Sequence, residues 1–265
     1  FGAGSMVDLE ASELRWFDYW LKGVDNGVVD EPPLRLFIMG INEWRDEYEW
    51  PLARTTWQKW YLHSNGKANS VLGDGVISTQ PPQHESFDGF VYDPRYPVQT
   101  MGGNNCCSPH IVPWGPYDQR PVEMRGDVLC YTSAPLEADM EVTGPIKAIL
   151  YAATDAPDTD WTAKLVDVHP SGYAMNLCDG IIRARYRESL THPKHLEPSK
   201  VYEYELDLGV TGVVFAKGHC IRVEISSSNF PRFDRNLNTG GTFGTETEMR
   251  PAHQRVYHTR EYPSH

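Results

Sequence analysis

The sequence predicts an all-β protein, a jelly-roll β-sandwich preceded by one helix. Beyond residue 33, nearly every apolar stretch is short and bounded by Gly, Pro, Asn or Asp, the pattern of many brief strands. The chain carries 22 Gly and 20 Pro among 265 residues, enough punctuation for repeated chain reversals and too much for a helical bundle. No repeat of fixed period is visible, which argues against propellers and solenoids.

The helix comes first, over residues 8–22. Leu9, Trp16 and Trp20 fall near one face, with Phe17 and Leu21 beside them, at the three-to-four spacing of an amphipathic helix. Asp8 and Glu10 at its start and Lys22 at its end suit the helix dipole, and Gly23 offers a left-handed stop. It reads as a helix covering a core, and that core is expected outside this chain. Residues 24–33 are polar and turn-rich, ending in Glu31-Pro32-Pro33, and read as a linker. Strands are expected over residues 34–39, 57–62, 89–92, 128–132, 141–153, 159–169, 175–186, 201–208, 219–227 and 254–258. Ten strands with irregular, sometimes long connections fit a double-sheet jelly roll better than an up-and-down barrel with tight hairpins.

Composition narrows the function classes. The balance of 24 Lys+Arg against 36 Asp+Glu gives a net charge of −12, which argues against nucleic-acid or anionic-membrane binding. No run approaches the roughly 18 apolar residues of a spanning helix. Five cysteines, at 106, 107, 130, 178 and 220, form an odd set without C-x-x-C spacing. That argues against a disulfide framework and against zinc, and points to a reducing, cytoplasmic compartment. The opening Phe1-Gly2-Ala3-Gly4 carries neither an initiator Met nor a signal pattern, and reads as the interior of a longer polypeptide.

No catalytic set emerges. G-x-S-x-G, the turn that exposes a nucleophilic serine, does not occur. Cys106 and Cys107 follow Gly102-Gly103-Asn104-Asn105 with His110 nearby, but no third group is identified to orient that base, so they read as small apolar residues. The ten histidines show no H-E-x-x-H or similar spacing, so neither a metal nor a cofactor is expected. Asp155, Asp158 and Asp160 resemble a calcium loop in spacing but lack its Gly and distal Glu; a turn in which Asp side chains cap amides is the expectation. Arg183, Arg185 and Arg187 alternate, so they are expected on one face of a strand, paired with surplus carboxylates. Residues 229–241 form a long polar loop whose Asp and Asn side chains must satisfy its own backbone, with ligand contact a second role.

Taken together, several strings resemble one family. Trp16-Phe17-Asp18-Tyr19-Trp20-Leu21-Lys22-Gly23, Glu31-Pro32-Pro33, Met39-Gly40 and Trp44-Arg45 are similar to the passage out of the hydrolase core in cocaine-esterase-like proteins. These belong with the X-Pro dipeptidyl-peptidases and α-amino-acid ester hydrolases. The similarity continues through Tyr92-Asp93-Pro94, Asp118-Gln119-Arg120, Val142-Thr143-Gly144-Pro145, Leu165-Val166-Asp167-Val168 and Ser226-Ser227-Ser228-Asn229-Phe230-Pro231-Arg232-Phe233-Asp234, in collinear order over essentially the whole chain. The resemblance implies that residues 1–30 are the terminal helix and linker of an α/β-hydrolase domain, and residues 31–265 a galactose-binding-like jelly roll. It implies a serine hydrolase of esters or amides, including X-Pro dipeptides in some branches, whose Ser, Asp and His belong to the α/β-hydrolase part. This chain would then hold no triad residue and act as scaffold, domain interface and part of the acyl-pocket wall. On a loop match, Asn104, Asn105, Cys106 and Cys107 are the pocket-facing candidates.

The implied partners are an α/β-hydrolase domain, in the same polypeptide or as a separate chain, and a small ester, amide or peptide substrate; a homo-oligomer is compatible with this reading. The rival is a stand-alone carbohydrate-binding or structural β-sandwich module. Glycan binding would need a shallow face of exposed aromatics, for which Trp44, Trp50 and Trp57 are the clustered candidates.

Overall fold

The structure is a computed structural model that describes residues 1–84, 86–106 and 110–265. The first helix, α1 (Leu9–Lys22), forms as its local sequence dictates. Asp8 accepts a hydrogen bond from the Ala11 amide at 2.9 Å, and Gly23, at φ 69°, donates to the Tyr19 carbonyl at 3.0 Å. No residue of α1 is buried, and Trp16, Phe17 and Trp20 stand 50%, 52% and 58% exposed. The linker folds back on the helix through Asn26, whose Nδ2 donates to the Arg15 carbonyl at 2.7 Å, and through the 2.6 Å Arg15–Glu31 pair.

Next comes a two-stranded hairpin, β1 (Leu34–Ile38) and β2 (Glu43–Glu47). Phe37 packs edge-on against Trp44 at 5.2 Å and Phe1 at 5.9 Å, while Trp44 Nε1 donates to the Gly4 carbonyl at 2.8 Å. The remaining strands are β3 (Tyr61–His63), β4 (Val76–Ser78), β5 (Phe87–Tyr92), β6 (Leu129–Thr132), β7 (Met140–Thr154), β8 (Asp160–Val168), β9 (Ala174–Arg183), β10 (Tyr202–Phe215), β11 (Cys220–Ser226) and β12 (Ala252–Tyr257). A short helix, α2 (Arg120–Glu123), lies between β5 and β6. The hairpin leans on β10, where the Met39 amide donates to the Gly212 carbonyl and the Val214 amide to the Met39 carbonyl, both at 2.8 Å. Gly40 permits this approach: a Cβ there would stand 2.3 Å from the Val214 carbonyl oxygen.

Four strands in the order β10-β7-β12-β5 face six in the order β3-β4-β6-β11-β8-β9. All neighbouring strands are antiparallel except β4 and β6. Their inner faces interdigitate into one core that includes Leu129, Tyr131, Ala163 and Ile225 from the larger sheet and Phe90, Leu150, Leu206 and Val256 from the smaller. Trp161 of β8 is wholly buried and meets Tyr204 at 5.9 Å and Phe90 at 6.4 Å across the interface. Among the described residues no helix is long and apolar enough to cross a membrane.

The all-β expectation holds, with corrections. Twelve strands are present among the described residues rather than ten. β2 (Glu-Trp-Arg-Asp-Glu) reads as polar surface but is held by Arg45, whose Nη1 reaches Glu141 of β7 at 3.0 Å and whose Nε reaches Glu47 at 2.7 Å. β4 has three residues, too few to show a period. β10 runs to Phe215 rather than stopping at 208, because a register shift at Asp207/Gly209 carries it past the interruption. β9 ends at Arg183 and gives way to a 3₁₀ turn, Ala184–Tyr186, so Arg183, Arg185 and Arg187 do not share one strand face. They do find carboxylates: Arg183 pairs with Asp160 at 2.9 Å and Asp234 at 3.0 Å, Arg185 with Asp158 at 2.7 Å, and Arg187 with Glu188 at 3.2 Å.

One buried carboxylate ties both sheets together. Asp88 on β5 accepts from Ser64 Oγ, the Ala68 amide, Tyr131 Oη of β6 and His258 Nε2, all at 2.7–2.9 Å. Burial alone would push its carboxyl up, but the bonds from His258, Ala68, Ser64 and Tyr131 together outweigh that and hold it below the usual carboxylate range. A carboxyl depressed by folding stabilises the native state above its unfolded value, and the contribution is lost as pH falls through the folded one. Asp88→Asn is therefore expected to lower stability at neutral pH by about 2–4 kcal/mol, leaving donors unsatisfied. The variant's stability should also fall less steeply than the wild type's below about pH 4. Urea titrations across that range check both.

Candidate functional site

The sequence-predicted site lies on the long connection between β5 and β6, and the sheet beneath explains its position. Alternate residues of β8 and β11 point away from the core, among them Lys164, Val166, Arg222 and Glu224, yet all are buried. The connection covers them. Lys164 Nζ donates to Gln119 Oε1 at 2.9 Å and stands 3.6 Å from Glu224, while Arg222 Nη1 meets Glu123 of α2 at 2.7 Å. Farther along, Ser226 Oγ donates to the Asp127 carbonyl at 2.7 Å, and the Tyr117 amide to Asn176 Oδ1 at 2.6 Å. Burial pushes the Glu224 carboxyl up to about 7, against the pull of Lys164.

The connection turns back on itself at Gly102 and Gly103. Gly103 and Gly115 exchange backbone hydrogen bonds at 2.7 and 2.9 Å, closing a small loop. Gly102 has φ +71°, and a Cβ there would stand 2.5 Å from both the Gly115 carbonyl oxygen and Tyr117 Cβ, so glycine is required. A Cβ on Gly103 would stand 3.1 Å from Arg232 Nη1, so the turn lies close over Arg232, which is paired with the buried Asp179 side chain; Asn229 Nδ2 donates to the same carboxylate at 2.8 Å. This is the role of the 229–241 loop: Arg232 and Asn229 support the glycine turn. Asn236 fixes the loop by donating to Asp158 and Asp160, both at 2.8 Å, and Asn238 by donating to the Arg250 carbonyl at 2.7 Å. The 155–160 segment is thus a turn, as expected, with Asp158 accepting from the Arg185 amide at 2.9 Å.

On this base the four candidate residues separate. Asn104 and Cys106 are exposed at the tip. Asn105 is turned inward, its Nδ2 donating to the carbonyls of Gly102 at 2.8 Å and Pro113 at 3.2 Å, so it holds the loop's shape. Cys107 lies outside the described residues. Cys106 is disulfide-bonded, which corrects the expectation of reduced thiols throughout, while Cys130, Cys178 and Cys220 are free. Burial pushes the Cys178 thiol up to about 12, so it is not a poised nucleophile. Sequence reasoning passed over Ile111 and Trp114, which stand 75% and 51% exposed beside the loop; apolar residues inside a Gly- and Pro-rich connection were the available signal. A cavity of about 830 Å³ lies between the sheets, lined by Leu62, Ile77, Val142, Leu208 and Phe215 among others, but no residue from 102 to 106 lines it.

A Ser-His-Asp set does occur, unannounced by any motif, and its geometry excludes relay catalysis. Ser64 Oγ and Asp88 Oδ2 both address the same His258 nitrogen, Nε2, at 3.0 and 2.9 Å, whereas Nδ1 has no partner among the described residues. A triad needs the acid on one imidazole nitrogen and the nucleophile on the other. Asp88 and His258 are also wholly buried, out of reach of a substrate. Trp44, one of the three lectin candidates, is committed to Phe37 and the Gly4 carbonyl.

Removing the loop's support tests this arrangement. Arg232→Ala should leave Asp179 buried without its cation, lowering stability by about 3 kcal/mol. It should also speed amide exchange at Gly103 and Gly115 ahead of the strands, read by hydrogen–deuterium exchange mass spectrometry.

Comparison with known proteins places the chain in a family. The family model of the X-Pro dipeptidyl-peptidase C-terminal non-catalytic domain matches residues 26–265. The cocaine esterase of Rhodococcus sp. (strain MB1 Bresler) is 47% identical over 252 residues, covering 94% of this chain and 44% of that protein. Among solved structures, an aminopeptidase from a marine sediment Thaumarchaeota archaeon superposes with a TM-score of 0.81 at 31% identity, covering 96% of this chain and 43% of that one. An α-amino acid ester hydrolase superposes with a TM-score of 0.79 at 32% identity, covering 94% and 42%. The chain therefore spans less than half the length of these relatives.

Proposed function

The chain belongs to the family of X-Pro dipeptidyl-peptidase C-terminal non-catalytic domains, and from that premise we propose that it serves a serine hydrolase of esters or amides as scaffold, docking face and part of the acyl-pocket wall. The observation that carries the reading is α1. A capped, well-formed helix that presents Leu9, Trp16, Phe17, Trp20 and Leu21 to solvent is stable against water only when something covers that face. The covering body in this reading is an α/β-hydrolase domain, in line with the division of residues 1–30 from 31–265. That domain supplies the serine that attacks the carbonyl, the histidine that relays the proton and the acid that orients it.

The 102–107 loop is the second contribution. Its glycine turn is braced by Arg232 and Asp179, so Asn104 and Cys106 sit on a rigid base. A wall built on a braced turn holds an acyl group in a fixed attitude without moving during turnover. Ile111 and Trp114 extend it with apolar surface.

Two measurements test this. The chain alone should not hydrolyse an activated ester, and mixing it with a hydrolase domain carrying G-x-S-x-G from the same parent should restore turnover. Replacing Trp16 and Trp20 together by Ser should abolish that restoration while leaving the sandwich folded by circular dichroism; restoration by the double variant would remove α1 from the interface. In the assembled enzyme, Asn104→Trp should change the ratio of kcat/KM between aromatic and short-chain esters by about tenfold or more, with little change in Tm. An unchanged ratio would take the loop out of the pocket.

A further inference from the structure

We propose that Asp167, His169 and His219 form a site for one divalent transition-metal ion of the zinc class. Strand pairing brings them together. β8 and β11 run antiparallel with Ile221 opposite Asp167 and Cys220 opposite Val168, so His219 falls opposite His169, just beyond both strand ends. Residues two apart share a face of a strand, which sets all three side chains on the same side of the sheet. His219 Nδ1 is hydrogen-bonded to Asp167 Oδ1 at 2.8 Å, a bond that an ion between them would replace; His169 Nε2 stands 3.6 Å from Asp167 Oδ2, and one ligand atom from each residue lies within 4.8 Å of the other two. The imidazole centroids are 4.3 Å apart. The Asp167 and His219 side chains are 5% and 16% exposed and that of His169 33%, so an ion would enter from the His169 side.

Two features favour an ion over a hydrogen-bonded cluster. His169 Nε2 is shielded from solvent and has no hydrogen-bond partner among the described residues, a costly state for a polar atom. Its 3.6 Å distance to Asp167 is too long for a hydrogen bond. It is close to the separation of two ligands on one tetrahedral ion, about 3.3 Å for bonds of about 2.0–2.1 Å. Second, the donors match. Two neutral imidazoles and one carboxylate suit zinc, whereas magnesium and calcium ask for oxygen alone. Three protein ligands leave the fourth position to water. The ion fastens the turn between β8 and β9, where His169 and Tyr173 pair through the backbone at 2.9 Å, to the turn that leads into β11.

The test uses the full chain stripped of metal by a chelator and titrated with Zn²⁺ in a calorimeter. One ion should bind per chain and raise Tm. His169→Ala, at the most exposed of the three positions, should retain the metal-free Tm, weaken Zn²⁺ binding by about tenfold or more and abolish the rise in Tm. Independently of any variant, ¹⁵N resonances of His169 Nε2 and His219 Nδ1 should shift on adding one equivalent. Absence of saturable binding, unshifted resonances at these two nitrogens, or undiminished binding by His169→Ala would each overturn the assignment, the last by placing the ion on other histidines.

Discussion

The central strands of the six-stranded sheet, β8 and β11, are buried on both faces, and the outer face carries charge; that constraint organises the molecule. Lys164, Arg222 and Glu224 sit where an ordinary α/β or sandwich sheet would be apolar or wet. Charges withdrawn from water need partners at hydrogen-bonding distance. Gln119 and Glu123 supply two of them, and both lie in the connection between β5 and β6. The connection is therefore long because it is a cover. Once pinned at 117, 119, 123 and 127, it projects its glycine turn at a fixed place, where Arg232 and Asn229 brace it from the other side. The placement of the glycine turn and the sheet's electrostatics are thus one problem solved once.

The same logic separates chemistry from shape. Ser64, His258 and Asp88 have the composition of a hydrolytic triad, and their wiring makes them a knot that holds strand ends together. In the proposed reading, what this chain offers another body is surface: the aromatic face of α1 and the tip of the braced loop. The family it belongs to is described as non-catalytic, and the geometry gives that description a physical content.

Much of the fold was legible because its determinants are local. Asp8 and Gly23 mark the ends of α1 within a residue or two of their own positions, and the apolar periods of β5 through β9, β11 and β12 needed no distant partner to be seen. What escaped notice depends on residues far apart in sequence. β2 pairs with β1 through a polar sequence, and its outward anchor, Arg45 to Glu141, lies 96 residues away. Asp88 and His258 are 170 apart, and His219 reaches His169 through strand register. The arginine row was misjudged for a different reason, since the chain leaves the extended conformation at Ala184 and alternation stops there. The candidate loop came from family resemblance alone. The structure shows why composition was silent: Asn105 spends its amide on the loop itself, and the bracing Arg232 lies more than a hundred residues downstream.

The smaller sheet has its strands in the order β10-β7-β12-β5, so the last strand of the twelve occupies an interior place between two made much earlier. On a ribosome β5 emerges first and has no neighbour in its sheet until residues 252–257 follow, some 160 residues later by their numbering. Tyr131 and Ser64 can reach Asp88 in the meantime, but His258 cannot. Biosynthesis must therefore carry an open-edged intermediate until residues 252–257 have been made, and the smaller sheet closes only after them.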